Sequence, residues 1–358
     1  MRRHMASTSF EPVLILFMSL ALSVLAPGVA KADDEVEMSD ECRAYRADPG
    51  ADLGDVMRAG CEPTLAQMSA LMDNPLGNVA MWFNQIDWYR LSNDENTRVP
   101  QDQINYMGIL QFPTGVSEDW NIINRFIYNV TSVPLDLDDI GAPPDPPGSQ
   151  PPGGGPLQPP SSGGPLPIDL FSGTTNGFGD MYYVGLASPK KAIKHEGGGS
   201  SVWGIGLDAA FPTATDDILG SGRYAMGPSA LYAYLGPDWK LGALVQTYFG
   251  FAGENDRDET ELLNIQAFYY YSLSETTSMG AGPVILANFE ADSRDTWTVP
   301  IGIGINRTFQ IGKLPVRLGF EYYYSLERPD SVGIDHSFRF FVIPAVPSAL
   351  LPKWLRGR

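Results

Sequence analysis

From Trp82 almost to the C-terminus the chain alternates apolar and polar side chains in stretches of roughly ten residues, each closed by a turn. Val316–Leu326 is the clearest: Val316, Leu318, Phe320, Tyr322, Tyr324 and Leu326 share one face, and Arg317, Gly319, Glu321, Tyr323 and Ser325 the other. Period-2 alternation puts successive side chains on opposite faces of a strand. The pattern predicts twelve strands: Met81–Leu91, Ile104–Phe112, Trp120–Val130, Gly179–Ala187, Val202–Phe211, Met226–Tyr234, Trp239–Phe251, Leu262–Leu273, Thr277–Glu290, Trp297–Phe309, Val316–Leu326 and His336–Ile343. No helical layer is left over to cover so many apolar faces, so lipid is their simplest solvent. The fold class expected is all-β, a transmembrane antiparallel β-barrel of about 12 strands with a short helical segment before it.

The connections support this. Pro113–Asp119, Leu235–Asp238, Ser274–Thr276 and Gln310–Pro315 are short, whereas most of the alternate set, such as Ser92–Gln103, Thr131–Phe178 and Pro212–Ala225, are longer and polar. Short periplasmic turns alternating with longer outer loops are the barrel pattern. Ser188–Ser201 is long for a turn, and Ala291–Thr296 short for a loop. Residues 140–167 are dominated by Pro, Gly and Ser, expected to form a flexible outer loop, with a domain linker as the alternative.

Ahead of the strands, Arg2 and Arg3, the apolar run Val13–Leu25 and Ala30-Lys31-Ala32 read as a secretory signal over 1–32, with a retained anchoring helix as the alternative. Residues 33–78 are predicted to form a small periplasmic head or plug, or else a partly disordered leader. Leu65, Met68, Leu71 and Met72 recur at helical spacing, Thr64 is placed to cap, and Asn74-Pro75 breaks the helix. Cys42 and Cys61, an even pair behind a signal, predict one disulfide, with two free thiols as the alternative. The barrel is expected over 79–347 and a tail over 348–358.

With 42 acidic and 24 basic residues the net charge is −18, which gives no footing for nucleic acid. Alternation puts the polar set Asp208, Gln246, Asn264, Gln266, Glu290, Arg317, Glu321 and Arg339 in the lumen, because charge facing lipid is costly. These groups either pair across the lumen and fill it or line a polar path. Arg307 falls on the lipid face near a strand end, where it can snorkel. Trp82, Trp88, Trp120, Trp203, Trp239 and Trp297 lie near strand ends, as interfacial girdles require.

Little points to an enzyme. His336 and Ser337 are adjacent and so face opposite ways. His195 sits in a loop without an obvious partner, and three histidines in all make a His-based metal site improbable. No cofactor is expected.

Gly177-Phe-Gly-Asp180, Met226-Gly-Pro-Ser-Ala230, Phe249-Gly-Phe-Ala-Gly253, Trp297-Thr-Val-Pro-Ile-Gly302, Tyr322-Tyr-Tyr-Ser-Leu-Glu-Arg-Pro329 and Asn74-Pro75-Leu76 resemble a family of bacterial outer-membrane barrels. That family is named for the meta-pathway of phenol degradation. The resemblance implies an outer-membrane "transporter" for small, aromatic or hydrophobic compounds, and it carries over no catalytic residues. The Cys42/Cys61 head and the Pro/Gly loop look like additions. The functional expectation is a porin-like barrel passing small molecules in a Gram-negative outer membrane. The alternative is a plugged structural or surface-interaction barrel without transport. Expected partners are outer-membrane lipid, the barrel assembly machinery and an unidentified small molecule.

Overall fold

The structure is a computed structural model. It describes residues 39–47, 56, 59–92, 101–134, 173–254, 260–312 and 314–347. The signal, the Pro/Gly-rich segment 140–167 and the tail 348–358 lie outside the described residues. The chain divides into two units, Met1–Asp40 and Glu41–Arg358. Of the first, only Ser39 and Asp40 are described, and the architecture below is that of the second.

Among the described residues two short helices, α1 (Asp40–Ala47) and α2 (Leu65–Asp73), precede twelve antiparallel strands. The first three are β1 (Val79–Ser92), β2 (Gln101–Gly115) and β3 (Trp120–Val133). β4 runs in two pieces, Thr175–Phe178 and Met181–Pro189. It is followed by β5 (Ser200–Phe211), β6 (Arg223–Leu235), β7 (Trp239–Gly253) and β8 (Glu261–Ser274). β9 is also in two pieces, Thr277–Ala281 and Val284–Asn288, and the wall ends with β10 (Trp297–Ile311), β11 (Leu314–Glu327) and β12 (Gly333–Pro347). Each strand pairs with its neighbour in sequence, and β12 pairs with β1 from Val79↔Pro347 to Ser92↔Gly333, which closes the barrel. Every predicted strand is present. The ninth differs: it breaks at Gly282-Pro283, where proline can donate no ladder hydrogen bond, and it stops at Asn288. The long Ser188–Ser201 connection is a small hairpin in which Ile193–Lys194 pairs with Ser200 and Ser201, turned by Gly198 and Gly199 at φ +90° and +76°.

The outer face is apolar. Ile86, Leu110, Phe126, Ile205, Leu207, Val245, Ile301, Ile303 and Phe320 are all exposed side chains of the wall. A soluble protein does not expose such a continuous band, and a closed barrel satisfies every backbone group without water. The chain is thus an outer-membrane β-barrel. Trp82, Trp120 and Trp239 sit exposed at the short-turn end and Trp297 at the other, with Trp120 against Trp203 at 5.9 Å. Arg307 is on the outer face near the end of β10, its guanidinium 5.2 Å from the centre of the Phe309 ring. Among the described residues no helix is long and apolar enough to cross a membrane.

The interior is packed rather than open. Ile123, Ile127, Val184, Leu186, Leu244 and Tyr248 form a buried cluster, and Met72, Val79, Met81, Phe341 and Ile343 a second. Gly319 lies beneath Phe341, and a Cβ there would occupy the space of the ring. At the long-loop end, Asp180 sits at the break in β4 and accepts from the backbone N–H of Thr213, Ala214 and Ser221 and from the Ser221 hydroxyl, at 2.7–3.1 Å. That carboxylate ties the β5–β6 loop to the wall, and Ile218 and Leu219 of the loop are buried.

Candidate functional site

The short-turn end of the lumen is filled by α2. Thr64 caps it in a reciprocal box: Gln67 N–H donates to Thr64 Oγ1 at 3.1 Å, and Thr64 N–H donates to Gln67 Oε1 at 2.9 Å. The Cys42–Cys61 disulfide and buried Val56 pack against Met68. One face of α2 meets the barrel wall. Met72 enters the Val79, Met81, Phe341 and Ile343 cluster, and the Ser69 hydroxyl is 3.1 Å from that of Thr308 on β10. The helix ends on Asp73, whose two oxygens meet Arg317 Nη2 of β11 at 2.7 Å and Lys240 Nζ of β7 at 3.2 Å. Arg317 also donates to the Ser69 carbonyl at 2.9 Å, which places a cation near the C-terminal end of the helix, where it suits the dipole. Gln111 Nε2 of β2 donates to the Pro75 carbonyl at 3.1 Å. Two strands thus converge on the carboxylate at the helix end, and a third holds the turn that follows it.

A second constellation lies in the wall. Arg339 of β12 donates from Nε to Asp87 Oδ1 of β1 at 2.8 Å and lies 3.6 Å from Glu321 of β11. Tyr270 donates to Glu321 Oε1 at 2.6 Å, Tyr323 donates to Glu321 Oε2, and Gln85 donates to Asp87 Oδ2 at 2.6 Å. Arg339 Nη1 also donates to the Gly282 carbonyl at 2.8 Å, and Gly282 N–H donates to the Tyr323 oxygen at 3.2 Å. The break in β9 therefore turns backbone into the lumen, where this network receives it. The wall compensates on β10: its ladder to β9 lapses between Thr298 and Gly304, and the Tyr269 hydroxyl bridges Gly302 N–H (3.2 Å) and Gly302 C=O (2.7 Å).

A third series runs across β3, β8 and β7. Arg125 Nη1 approaches Gln266 Oε1 at 3.4 Å, Gln266 donates to Gln246 Oε1 at 2.8 Å, and Gln246 donates to the Tyr248 hydroxyl at 2.7 Å. Asp208 is 1 % exposed, and neither of its carboxylate oxygens has a hydrogen-bond partner.

Of the residues the alternation sends inward, Asp208, Gln246, Asn264, Gln266, Arg317, Glu321 and Arg339 face the interior. Arg317 pairs with the head, while Glu321 and Arg339 pair within the wall. Glu290 requires a correction. It lies past the end of β9, exposed in the following turn, where its N–H donates to Asn288 Oδ1 at 3.1 Å. The second piece of β9 ends at Asn288, which leaves Glu290 outside the wall. His195 also differs from expectation, since its Nε2 lies 2.8 Å from Ser201 Oγ, itself 2.8 Å from the Tyr232 hydroxyl. Ser201 is 1 % exposed and shared between two partners, and among the described residues no carboxylate holds the His195 ring, so this pair lacks the makings of a nucleophile.

Alternation alone did not single out Asp73, Lys240, Asp87, Gln85 or Arg125. A signal for Asp87 existed in the mixed faces of β1. Gln85 and Asp87 point inward, and outward Asn84 accepts a hydrogen bond from Tyr106 at 2.8 Å.

Two cavities flank α2. One, about 220 Å³, lies in the lumen between Met81, Met107, Phe268, Phe341, Arg125 and the helix end. The other, about 960 Å³, lies between α2 and the short turns, with Lys190, Lys194 and His195 on its wall. Asp73 and Lys240 border both.

No family model matches the chain, and no curated protein matches it in sequence. Among solved structures it is similar to the COG4313 outer membrane channel from Pseudomonas putida F1, with 14 % identity, 75 % of this chain and 96 % of that one covered, and a TM-score of 0.49. It is also similar to the outer membrane phospholipase A from Escherichia coli (11 %, 78 % and 97 % covered, TM-score 0.37) and to a Pseudomonas aeruginosa FadL homologue (11 %, 78 % and 93 % covered, TM-score 0.30). Likenesses this distant carry no functional argument.

Proposed function

We propose that the barrel passes small apolar or amphipathic molecules, aromatic ones among them, across the outer membrane through its lumen, and that α2 is a plug that must shift for passage. This is also what the resemblance to the meta-pathway family implies. The observation that carries the reading is that the lumen cavity and the cavity at the short-turn mouth are divided by a polar latch, Asp73 with Lys240 and Arg317, instead of by continuous apolar packing. Asp208, Gln246, Asn264, Gln266, Arg317, Glu321 and Arg339 are then the polar groups along the path. Residues 33–78 are the periplasmic head that supplies the plug, and the assembly machinery that inserts such barrels is its partner in biogenesis.

The rival reading, a permanently plugged structural barrel, draws support from the paired wall charges. A disulfide lock separates the two. Ser69 and Thr308 have hydroxyl oxygens 3.1 Å apart, so Ser69→Cys with Thr308→Cys can pin α2 to β10. Swelling of proteoliposomes in small solutes should be slow for the oxidised double variant and recover on reduction. Wild type under the same reductant controls for Cys42–Cys61. Equal swelling of oxidised and reduced protein would refute plug movement.

A further inference from the structure

The cations around the lumen cavity are not equivalent. Arg339 is paired with both Asp87 and Glu321, and Arg317 and Lys240 share the single carboxylate of Asp73. Arg125, on the opposite wall, is different. Among the described residues no carboxylate lies within ion-pairing distance of it. Its one side-chain hydrogen bond is the long 3.4 Å approach to Gln266, and its Nε is shut from solvent with no partner. The unpartnered carboxylate on the same row of the wall, Asp208, is separated from it by the intervening strand: Arg125 is opposite Val184, and Val184 opposite Asp208. Holding a guanidinium in a largely apolar chamber without a counter-charge costs stability. A planar fork of donors facing a cavity is suited to a carboxylate.

The remaining lining specifies the rest of the ligand. Met107, Ile109, Leu231, Leu244 and Phe268 make the chamber apolar next to Arg125. A closed apolar cavity of about 150 Å³ accommodates benzene; at about 220 Å³ this chamber, which Asp73, Lys240, Arg317 and Arg339 also line, has the volume for one aromatic ring with a small head group. We propose that Arg125 is the anchor of a lumenal binding site for small aromatic monocarboxylates of benzoate size. The ring lies among Met107, Leu231, Leu244 and Phe268, and the carboxylate meets the guanidinium, with Gln266 beside it. This deepens the passage reading and rests on it, since a ligand reaches the chamber only through the lumen.

The test is calorimetric titration of the full chain in phosphatidylcholine nanodiscs, with empty discs as blank, using benzoate and the neutral, near-isosteric benzamide. Benzoate should bind at one site per chain at least about 10-fold more tightly than benzamide, the difference that one charge-assisted pair supplies. Arg125→Gln should abolish that preference, and Arg125→Lys should keep it at reduced affinity. The net charge of −18 works against anions in general, which makes a preference for benzoate the more telling. Equal affinities in the wild type would overturn the site and require no variant to fold. So would a preference surviving in heat-modifiable Arg125→Gln protein, or displacement of benzoate by equimolar chloride. Binding without passage into vesicles would sink the transport reading and leave the site standing, whereas passage with no benzoate preference would sink the site alone.

Discussion

Replacing Asp73 by alanine should open the barrel. The carboxylate sits 2.7 Å from Arg317 and 3.2 Å from Lys240, and its side chain is 11 % exposed. At an effective dielectric near 20, unit charges at such separations attract by roughly 5–6 kcal/mol each. Desolvation cancels most of that, and breaking a buried pair by removing one partner costs about 3–5 kcal/mol in practice. Those interactions tie α2 to β7 and β11, so the loss falls on the seating of the helix. What remains is the burial of Met72, roughly 2 kcal/mol, the Ser69 bonds to Thr308 and Arg317, and the Gln111 bond to the Pro75 carbonyl. Since about 1.4 kcal/mol is tenfold in an equilibrium, the unseated population should rise by roughly two to three and a half orders of magnitude. In planar bilayers, wild type should show rare, brief openings and Asp73→Ala frequent, long ones, with Asp73→Asn between. A heat-modifiable Asp73→Ala barrel whose conductance matched wild type would refute the latch.

Arg339→Leu should lower the temperature at which the barrel unfolds in SDS, because Asp87 and Glu321, 1 % and 2 % exposed, lose their shared cation; a loss of about 3–5 kcal/mol is expected. Asp180→Ala should remove four hydrogen bonds of the β5–β6 loop and leave the N–H of Ala214 and Ser221 unpaired, cost about 2 kcal/mol or more, and expose that loop to protease on intact cells while leaving the wall heat-resistant. Cys42→Ser should weaken the head by about 3 kcal/mol through the loop it no longer closes, seen as protease sensitivity of residues 39–78 with an unchanged barrel fragment. Tyr269→Phe should leave the Gly302 peptide without its bridging hydroxyl and speed hydrogen exchange at that amide, with slower exchange than wild type the opposite and refuting outcome.

The strands were legible because a wall between lipid and a filled lumen imposes two environments on alternate residues. Ile205 and Leu207 outside Asp208, or Ile303 outside Gly304, leave a period-2 trace that needs no knowledge of neighbours. The break in β9 was not legible from period, since Ala281, Gly282 and Pro283 are small or lack a donor, and the apolar run resumes with Val284 and Ile285. What it does depends on Arg339 and Tyr323, which are on other strands. The site was half legible for the same reason. Period 2 puts Arg317 in the lumen, but its partner is the last residue of a helix in the head, brought there by barrel closure and by the turn at Asn74-Pro75. Pairing across a lumen follows from which rows meet after a full circuit, and one strand read alone contains no such information.

The two charged clusters differ in a way that assigns them different work. Asp87 and Glu321 have side chains 1 % and 2 % exposed, every wall strand they sit on is paired on both sides, and tyrosine or glutamine side chains occupy their remaining lone pairs. Such a cluster cannot come apart without unfolding the wall. Asp73, Arg317 and Lys240 are 11–14 % exposed, all three line the lumen cavity and Asp73 and Lys240 the second one too, and they join a helix to the wall instead of strand to strand. Their separation needs only a shift of α2, and the cavities on either side hold space for water to solvate the freed charges. An ion latch is suited to that task where apolar packing is not. Its strength depends on the water and ions that reach it, whereas a greasy seal of the same strength would expose apolar surface to water whenever it opened. The barrel therefore spends its dry ion network on holding the wall around a broken strand and its partly wet one on a helix that can move without breaking the ladder.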